Sequence, residues 1–410
     1  MNGRQVQAVE EGRFGGVDWS WERHAVCIVD AAGAVIERFE AEHQAAGLQT
    51  MVRRLRRAGA HRVAIERGDG PVVDALLGAG LDVVVVSSRQ VRALRLRYGT
   101  AGNKDDRFDA FVLADVLRSD GHRLASLTPD SSATIGLRAL VRARKDLVKH
   151  RIALANQLRA NLLAAFSGAV GLFAEIDSPI SLTFLTRFPS ADRAAWLSEK
   201  RIAAWLAAVG YCGRQTSQQL ITHLRDAPAG LTGPAGAACA TVTEQLVASL
   251  VDLRARIDVL DEAIAETLAL HPDAAVFTSL PRAGTNRAAL LLAEIGDCRA
   301  RFPDDTAMAA AAGVAPSTRS SGKKHHVAFR HSCDKKLREA LIDFAADSRQ
   351  ASPWAADIYQ RARDRGTRHP HAVRILARAW CRIIWRCWTD NTAYDPARHA
   401  GLHQLLTAQG

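Results

Sequence analysis

The chain has 410 residues, of which 48% are hydrophobic and 24% are charged. This composition supports a hydrophobic core spread over two or three domains, and it excludes a disordered chain, a collagen-like fibre and a disulfide-stapled miniprotein. No apolar run reaches the ~18 residues that a membrane helix needs, and residues 1–15 lack the apolar core of a secretory signal. Seven cysteines without a C-x-x-C pair indicate buried or free thiols in a reducing cytoplasm.

The charge balance is basic, with 54 Lys and Arg against 43 Asp and Glu and a formal net charge of +11. Most of the positive residues are arginines, whose planar guanidinium group matches the geometry of a phosphate. A nucleic-acid partner explains this excess, and so does the codon bias of a GC-rich genome. The charge alone therefore does not identify a partner.

Residues 1–125 alternate between strand and helix patterns. Extended apolar runs predict strands at residues 14–19, 24–29, 34–39, 62–66 and 82–87. Apolar residues at helical spacing predict helices at residues 44–58, 72–77 and 103–117. Three strands in a meander, followed by helix, strand, helix, strand and helix, is the element order of an RNase H-like fold. The segment is therefore predicted to be a mixed-sheet α/β domain.

The rest of the chain reads as all-α. In residues 126–270, two long helical patterns at about 137–163 and 243–270 predict an antiparallel coiled coil around a smaller helical insert; surface helices of a large domain are the alternative. Residues 271–410 predict a mostly helical C-terminal domain with an irregular, basic loop at residues 316–322. Its helical tail contains four tryptophans that are expected in the core: Trp354, Trp380, Trp385 and Trp388.

Four acids of the first domain are candidates for a metal site. Asp18 ends the first predicted strand and Glu66 ends the fourth, while Asp106 and Asp109 share a face of the helix that closes the domain. If that helix packs over the sheet edge, four carboxylates converge, and only a cation between them makes this arrangement tolerable. All-oxygen ligands select Mg²⁺ or Mn²⁺, which in pairs catalyse phosphoryl transfer. Taken singly, each acid is also explained as solvated surface.

Two further clusters contain reactive side chains. Residues 313–324 place Ser321 before a glycine in a basic loop, but no base that would activate the serine is identifiable, so a flexible loop is the simpler interpretation. The second cluster contains His325, His326, His331 and Cys333, and its spacing fits no known zinc site. A zinc centre is therefore not predicted.

Basic residues follow two local patterns. The turn around Arg282 and Gly284 is similar to a helix-hairpin-helix, in which exposed backbone N–H groups bind a nucleic-acid backbone. The helix around residues 141–159 has a basic face, which either follows a phosphate backbone or is simply solvated. The predicted nucleic-acid-binding residues are Arg282, Gly284, Arg319, Lys323, Lys324, Lys335, Lys336, Arg142, Lys145 and Lys149.

Several motifs together resemble one protein family. They are GVDW at residues 16–19 with His24, VAIE at 63–66, NKDDRFDA at 103–110, DSPI at 177–180, LLLAEIGD at 290–297, AGVAPSTRSSG at 312–322, DKKLR at 334–338 and HPHAVRILARAW at 369–380. In this order they resemble the transposases of insertion-sequence family one hundred and ten, described as bridge-RNA-guided DNA recombinases. The resemblance extends over nearly the whole chain.

The resemblance implies a RuvC-like domain with a DEDD tetrad, a coiled-coil segment and a C-terminal transposase domain with a serine nucleophile. The tetrad falls on Asp18, Glu66, Asp106 and Asp109, and the nucleophile on Ser321, which is the serine next to Gly322. It further implies Mg²⁺ or Mn²⁺, a guide RNA from the element's noncoding end, double-stranded donor and target DNA, and a homodimer that assembles to a tetramer. In the family, the tetrad of a partner subunit completes the active site.

Two residues depart from the family pattern. Arg282 stands where the first glycine of the hairpin turn is usual, and Asp105 stands where Ser or Thr is common. The favoured hypothesis is an RNA-guided transposase that cuts and rejoins DNA through a phosphoserine intermediate. The alternatives are a metal-dependent nuclease or junction resolvase that uses water, and a non-catalytic nucleic-acid-binding relic.

Overall fold

The computed structural model describes residues 12–98, 105–321 and 324–409. The chain divides into two compact units, Met1–Pro129 and Asp130–Gly410. The predicted three-segment organisation, with boundaries at residues 125 and 270, stays a proposal. None of the described helices is long and apolar enough to cross a membrane. All seven cysteines are free thiols.

The first unit is built on a five-stranded mixed sheet in the order β3-β2-β1-β4-β5. β1 pairs antiparallel with β2 and parallel with β4, which in turn pairs parallel with β5. The mixed α/β fold predicted for this segment is confirmed. The elements are β1 (Phe14–Asp18), β2 (Arg23–Val29), β3 (Val35–Glu42), α1 (Ala45–Arg57), β4 (Arg62–Ile65), α2 (Pro71–Gly78), β5 (Asp82–Val85), α3 (Ser88–Arg95) and α4 (Asp106–Asp120).

Close packing of α4 on β1 fixes the centre of this unit. A Cβ atom on Gly16 of β1 would lie 2.1 Å from the carbonyl oxygen of Ala110 and 2.5 Å from the amide nitrogen of Ala114. Only glycine permits this approach, because any side chain would collide with the helix backbone. Helix α4 is thereby held against β1 at Gly16, which is two residues before Asp18. The predicted first residue of this helix, Asn103, lies outside the described residues.

The second unit is mostly helical, as predicted. Its elements are α5 (Ser132–Ala165), α6 (Pro179–Arg187), α7 (Ala191–Ala194), α8 (Glu199–Ala208), α9 (Ser217–Asp226), α10 (Gly233–Ala269), α11 (Ala274–Thr278), α12 (Gly284–Ile295), α13 (Asp305–Ala311), β6 (Ser317–Ser321), β7 (Lys324–Ala328), α14 (Lys335–Ser348), α15 (Pro353–Asp364), α16 (His369–Asp390) and α17 (Ala400–Gln409). Trp380 and Trp388 are fully buried in its core, whereas Trp354 and Trp385 are partly buried against it.

The two long helices α5 and α10 pair antiparallel. Asn161 near the end of α5 donates to Thr243 near the start of α10, while Arg144 near the start of α5 pairs with Asp261 near the end of α10. Buried residues of α10 include Thr243, Leu250, Ile257 and Ile264, which repeat every seven residues. This repeat is typical of a coiled coil. Supercoiling of the pair stays a prediction.

One prediction for the C-terminal segment is wrong in part. Residues 317–321 are not an irregular loop but strand β6, which pairs antiparallel with β7 to form a two-stranded hairpin. A run of Ser, Thr and Arg without apolar alternation gives no strand signal by pattern, because the hairpin is stabilised by its own ladder of backbone hydrogen bonds rather than by a buried face.

Candidate functional site

Backbone register places Asp18 and Glu66 side by side. Val17 of β1 is paired with Ile65 of β4 in parallel, so the next residue on each strand, Asp18 and Glu66, comes to the same edge of the sheet. Neighbouring strands lie about 5 Å apart, which puts the two carboxylates within reach of one cation. Both side chains are half-buried. These two predicted site residues are thus brought together by the sheet itself.

The two aspartates of α4 differ in their surroundings. Asp109 is buried, with 1% of its surface exposed, whereas Asp106 is exposed at the first turn of the helix. Asp105 is the N-cap of α4, because its carboxylate accepts a hydrogen bond from the amide of Arg107 at 3.1 Å. Ser and Thr perform the same capping function. The departure at Asp105 therefore keeps the structural role of the residue that the family usually has there.

Helix α3 binds two of the four acids. Arg95, its last residue, forms an ion pair with Asp109, and the hydroxyl of Ser88, its first residue, donates to Oε2 of Glu66 at 2.7 Å. α3 is absent from the predicted elements. Its signal was a capping box, since Ser87 caps the helix and exchanges hydrogen bonds with Gln90. The helix was not predicted because its sequence is short and polar.

The acids fit a divalent cation by chemistry, although an arginine already neutralises one of them. Carboxylate oxygens at adjacent strand ends are the donors that Mg²⁺ and Mn²⁺ prefer. Within residues 12–98, 105–321 and 324–409, no group of three or more His, Cys, Asp or Glu side chains is close enough to hold a metal ion. The guanidinium of Arg95 supplies the positive charge at Asp109 instead.

A buried histidine pair anchors the turn that follows Asp18. His24 is fully buried, and its Nδ1 accepts a hydrogen bond from the amide of Ser20 at 3.3 Å. Its Nε2 must then be the protonated nitrogen, and it lies 2.9 Å from Nδ1 of His43. Burial, and secondarily the charge of His43, lowers the pKa of His24 to about 4. His24 is therefore neutral near pH 7, which this hydrogen-bond pattern requires.

Aromatic side chains lie directly beside the acids. Trp21 is 76% exposed, and its ring makes an edge contact with Trp19 at a centroid distance of 4.9 Å. The guanidinium of Arg67, the residue after Glu66, lies 4.5 Å from the centre of the Trp19 ring. Nucleic-acid bases can stack on an exposed tryptophan such as Trp21.

Ser321 lies at the end of β6, at the tip of the two-stranded hairpin, and its side chain is exposed. Backbone pairing of Ser321 with Lys324 and of Arg319 with His326 places Ser321 and His326 on the same face of the hairpin. An imidazole so placed is a group that can accept a serine proton. Gly322 and Lys323 lie outside the described residues, as do the side chains of Arg319 and Lys324.

The predicted nucleic-acid-binding residues on α5 have acidic partners. Arg142 pairs with the buried Glu294, Lys145 with Glu339 and Asp343, and Lys149 with Asp146. Lys335 and Lys336 are exposed at the start of α14.

The turn before α12 lines a cleft of about 900 Å³. In this turn Arg282 has a φ of 57° and Gly284 a φ of 56°, which is left-handed backbone that glycine adopts easily and arginine does not. The side chains of Arg282 and Arg287 both bind Asp347. The conformation explains why glycine is usual at the position of Arg282.

Comparison with known proteins identifies the class. A family model described as a transposase, of the DEDD type found in IS110 elements, matches residues 15–167, which contain all four acids. A second model, described as transposase of the IS116/IS110/IS902 family, matches residues 274–360, which contain Ser321. The protein is thus a transposase, and hence an enzyme.

Curated relatives extend this match to most of the chain. A Streptomyces coelicolor protein, named for transposition of the IS117 mini-circle, is 32% identical over 94% of this chain and 96% of its own length. The IS110 43.6 kDa protein of Streptomyces coelicolor is 29% identical over 73% of this chain and 74% of its own length. The IS900 42 kDa protein of Mycobacterium paratuberculosis is 28% identical over 80% and 82%. The chain therefore belongs to the IS116/IS110/IS902 family of transposases.

Among solved structures, Thermus thermophilus RuvC in complex with a Holliday junction substrate aligns with 28% of this chain and 99% of its own, at 14% identity and a TM-score of 0.23. An overlap of that size carries no argument about this protein's fold or function.

Proposed function

We propose that this transposase cuts and rejoins DNA through a covalent bond between Ser321 and a DNA phosphate, assisted by a divalent cation at the acids of the first unit. The observation that supports the serine step best is the position of Ser321, exposed at the tip of a hairpin within the matched transposase segment. A nucleophile must reach a phosphate without displacing the protein around it, and a hairpin tip permits this.

In the proposed step, Oγ of Ser321 attacks a phosphorus atom of the DNA backbone while its proton passes to a base. His326 is the candidate base because it shares the face of Ser321. A phosphodiester bond between serine and DNA forms as the bond to the leaving deoxyribose oxygen breaks. Attack by a hydroxyl of the joining strand on this phosphoserine restores the DNA bond and releases Ser321. Because the serine–DNA phosphodiester conserves the free energy of the broken DNA bond, rejoining needs no nucleotide cofactor.

The DEDD type of the matched family model supports divalent-metal dependence. The residues that would hold the ion are Asp18, Glu66, Asp106 and Asp109, of which Asp109 must first leave Arg95. A bound Mg²⁺ or Mn²⁺ would stabilise negative charge on the phosphate under attack. The acids contribute the negative charge that holds the ion, and the buried position of Asp109 keeps its carboxylate oriented.

The proposal also includes three partners: a guide RNA, double-stranded donor and target DNA, and a second copy of the chain in a dimer that assembles to a tetramer. The family relationship supports them, together with the net charge of +11. Base pairing by an RNA would supply sequence specificity, so the protein would need to recognise mainly shape and phosphates. The exposed Trp21 beside the acids is suited to contact unpaired bases of either nucleic acid.

The deciding experiment is a trap for covalent protein–DNA adducts. The protein is expressed in cells together with the DNA that flanks its gene. The cells are lysed under denaturing conditions, and the lysate is assayed for DNA attached to protein. The Ser321→Ala and Ser320→Ala variants are treated in parallel. Ser320 is the matched control, because it precedes Ser321 on the strand and points to the opposite face. We expect adducts with the parent and Ser320→Ala but none with Ser321→Ala.

The same experiment tests the second candidate function, a nuclease that activates water at the acids. The close pairing of Asp18 and Glu66 is compatible with that chemistry. Cleaved DNA without any adduct, unaffected by Ser321→Ala, would establish the nuclease and refute the serine mechanism. A separate assay in a native lysate tests the guide: when RNA is degraded before a DNA substrate is added, a guided enzyme loses cleavage while an unguided one keeps it.

A further inference from the structure

Two arginines surround one phenylalanine at the base of the hairpin that bears Ser321. Phe329 directly follows β7; the guanidinium carbon of Arg338 on α14 lies 4.4 Å from the centre of its ring, and that of Arg374 on α16 lies 4.3 Å from it. The two positive charges are thus within about 9 Å of each other. Arg330, the next residue, adds a third positive charge to this cluster, which we call the Phe329 arginine cluster.

Among the described residues, no acid neutralises the Phe329 arginine cluster. In the part of the chain that the structure describes, Arg330, Arg338 and Arg374 form no ion pair, whereas nearby Arg301 pairs with Asp334 and Arg378 with Asp305. Burial, together with the charge of Arg338, lowers the pKa of Arg374. Positive charges held together without a counter-charge destabilise a fold unless an anion binds between them.

The geometry of the cluster is fixed by backbone contacts. Arg338 donates to the carbonyls of Ala312 and Arg330, and Arg330 donates to the carbonyls of Ala315 and Pro316, just before β6. A Cβ on Gly313 would lie 2.2 Å from Nη2 of Arg338, so glycine is needed for the arginine to pass. No hydrogen bond of Arg374 is recorded within the described residues, so its donors are available to a ligand.

We propose that Arg338 and Arg374 of the Phe329 arginine cluster bind a phosphate of the DNA backbone, a few nucleotides from the phosphate that Ser321 attacks. A guanidinium group bonded to phosphate has its carbon about 4 Å from the phosphorus, so a phosphate bound by Arg374 is close enough to be attracted by the charge of Arg338 as well. The cluster and Ser321 are separated by the length of β6, about 13 Å, which corresponds to a few nucleotides along a strand. The choice of DNA as ligand rests on the proposed function; the anion site itself does not.

The first test measures thermal unfolding of the full chain in sodium phosphate and in sodium chloride at equal ionic strength. The variants are Arg374→Gln and, as a matched control, Arg378→Gln, which removes an arginine one turn further along α16 that is already paired with Asp305 at 2.6 Å. In chloride, Arg374→Gln should melt above the parent because a like-charge repulsion is gone, and Arg378→Gln should melt below it. Phosphate should raise the melting temperatures of the parent and of Arg378→Gln. It should raise the melting temperature of Arg374→Gln by less than half as much.

Equal phosphate shifts in the parent and Arg374→Gln would overturn the anion site, as would a lower melting point of Arg374→Gln in chloride.

The second test measures binding of a short labelled duplex by fluorescence anisotropy across a salt series. Arg374→Gln should weaken binding three- to tenfold and reduce the slope of log affinity against log salt by about one, while Arg378→Gln leaves both unchanged. Loss of the phosphate effect without a change in DNA binding would refute DNA as the ligand. Neither readout depends on Ser321 chemistry.

Discussion

The sheet edge of the first unit and the hairpin of the second treat charge in opposite ways. At the sheet edge, the acids meet donors from their own chain: Arg95 pairs with Asp109, and Ser88 donates to Glu66. At the base of the hairpin, arginines gather around Phe329 and no described carboxylate neutralises them. In the first region, Asp109 must leave Arg95 before it can bind a cation. The second is already open to an anion.

The difference also concerns what fixes each region. Asp18 and Glu66 are positioned by the register of a five-stranded sheet with a buried core on its faces, so their spacing depends on many contacts. Ser321 is positioned by one antiparallel pair of strands, with its side chain in solvent. A two-stranded hairpin is marginally stable by itself, so bound DNA is expected to order the serine more than it orders the acids.

The largest effect is expected from removing charge at the sheet edge. Asp18→Asn should reduce DNA cleavage by at least ~10³-fold, because an amide lacks the charge that retains the cation opposite the reacting phosphate. Cleavage by the parent should likewise stop when EDTA removes divalent ions. DNA binding and the melting temperature of the variant should match the parent.

Asp69→Asn is the matched control for that substitution. Asp69 is an exposed acid just beyond β4 whose partner is Arg67, at 3.0 Å, so its loss should leave cleavage within twofold of the parent. Retention of more than a tenth of the activity by Asp18→Asn would show that Asp18 does not hold the metal ion.

An intermediate effect is expected from removing the cation that the chain itself supplies. Arg95→Gln should raise the affinity of the DNA-free protein for Mn²⁺ about tenfold, because the metal then no longer competes with a guanidinium for Asp109. Electron paramagnetic resonance of unbound Mn²⁺ measures this directly. Without metal, the variant should also melt below the parent, since a buried carboxylate has lost its partner, and Mn²⁺ should restore most of the difference.

Two further variants accompany this measurement. Arg95→Lys keeps the charge and should bind Mn²⁺ nearly as the parent does. Arg97→Gln removes a nearby arginine that pairs with Asp120 instead, and it should leave the affinity unchanged. An Arg95→Gln protein that binds Mn²⁺ no better than the parent would show that α3 does not close the site.

The sequence predicts the sheet edge better than it predicts what neutralises it. The strands of the first unit have apolar patterns that indicate their number, and the RNase H-like element order makes β1 and β4 neighbours, so the meeting of Asp18 and Glu66 follows from strand order. The Arg95–Asp109 pair does not follow, because it depends on the orientation of α3, an eight-residue polar helix with one fully buried side chain, Val91. Local patterns report periodicity and caps, whereas ion pairs depend on tertiary packing.

The hairpin region shows the same limit from the other side. The motif around Ser321 identifies the segment by resemblance, but neither the strands nor the arginines around Phe329 are evident from spacing, because Arg338 and Arg374 are 36 positions apart in sequence. The helix-hairpin-helix turn is intermediate: the departure at Arg282 is visible in the sequence, and its cost becomes visible only in the backbone angles.

The smallest effect is expected at that turn, where substitution separates backbone strain from charge. Arg282→Gly should stabilise the protein by about 0.5–1 kcal/mol in urea unfolding, because glycine adopts a φ of 57° without the cost of about 1–2 kcal/mol that a side chain imposes. Loss of the exposed ion pair with Asp347 offsets part of that gain, but Arg287 remains bound to the same carboxylate at 2.7 Å. Arg282→Ala keeps the strain and loses the ion pair, so it should be less stable than the parent. If both variants are destabilised equally, the ion pair of Arg282 with Asp347 contributes more to the stability of this turn than its left-handed backbone costs.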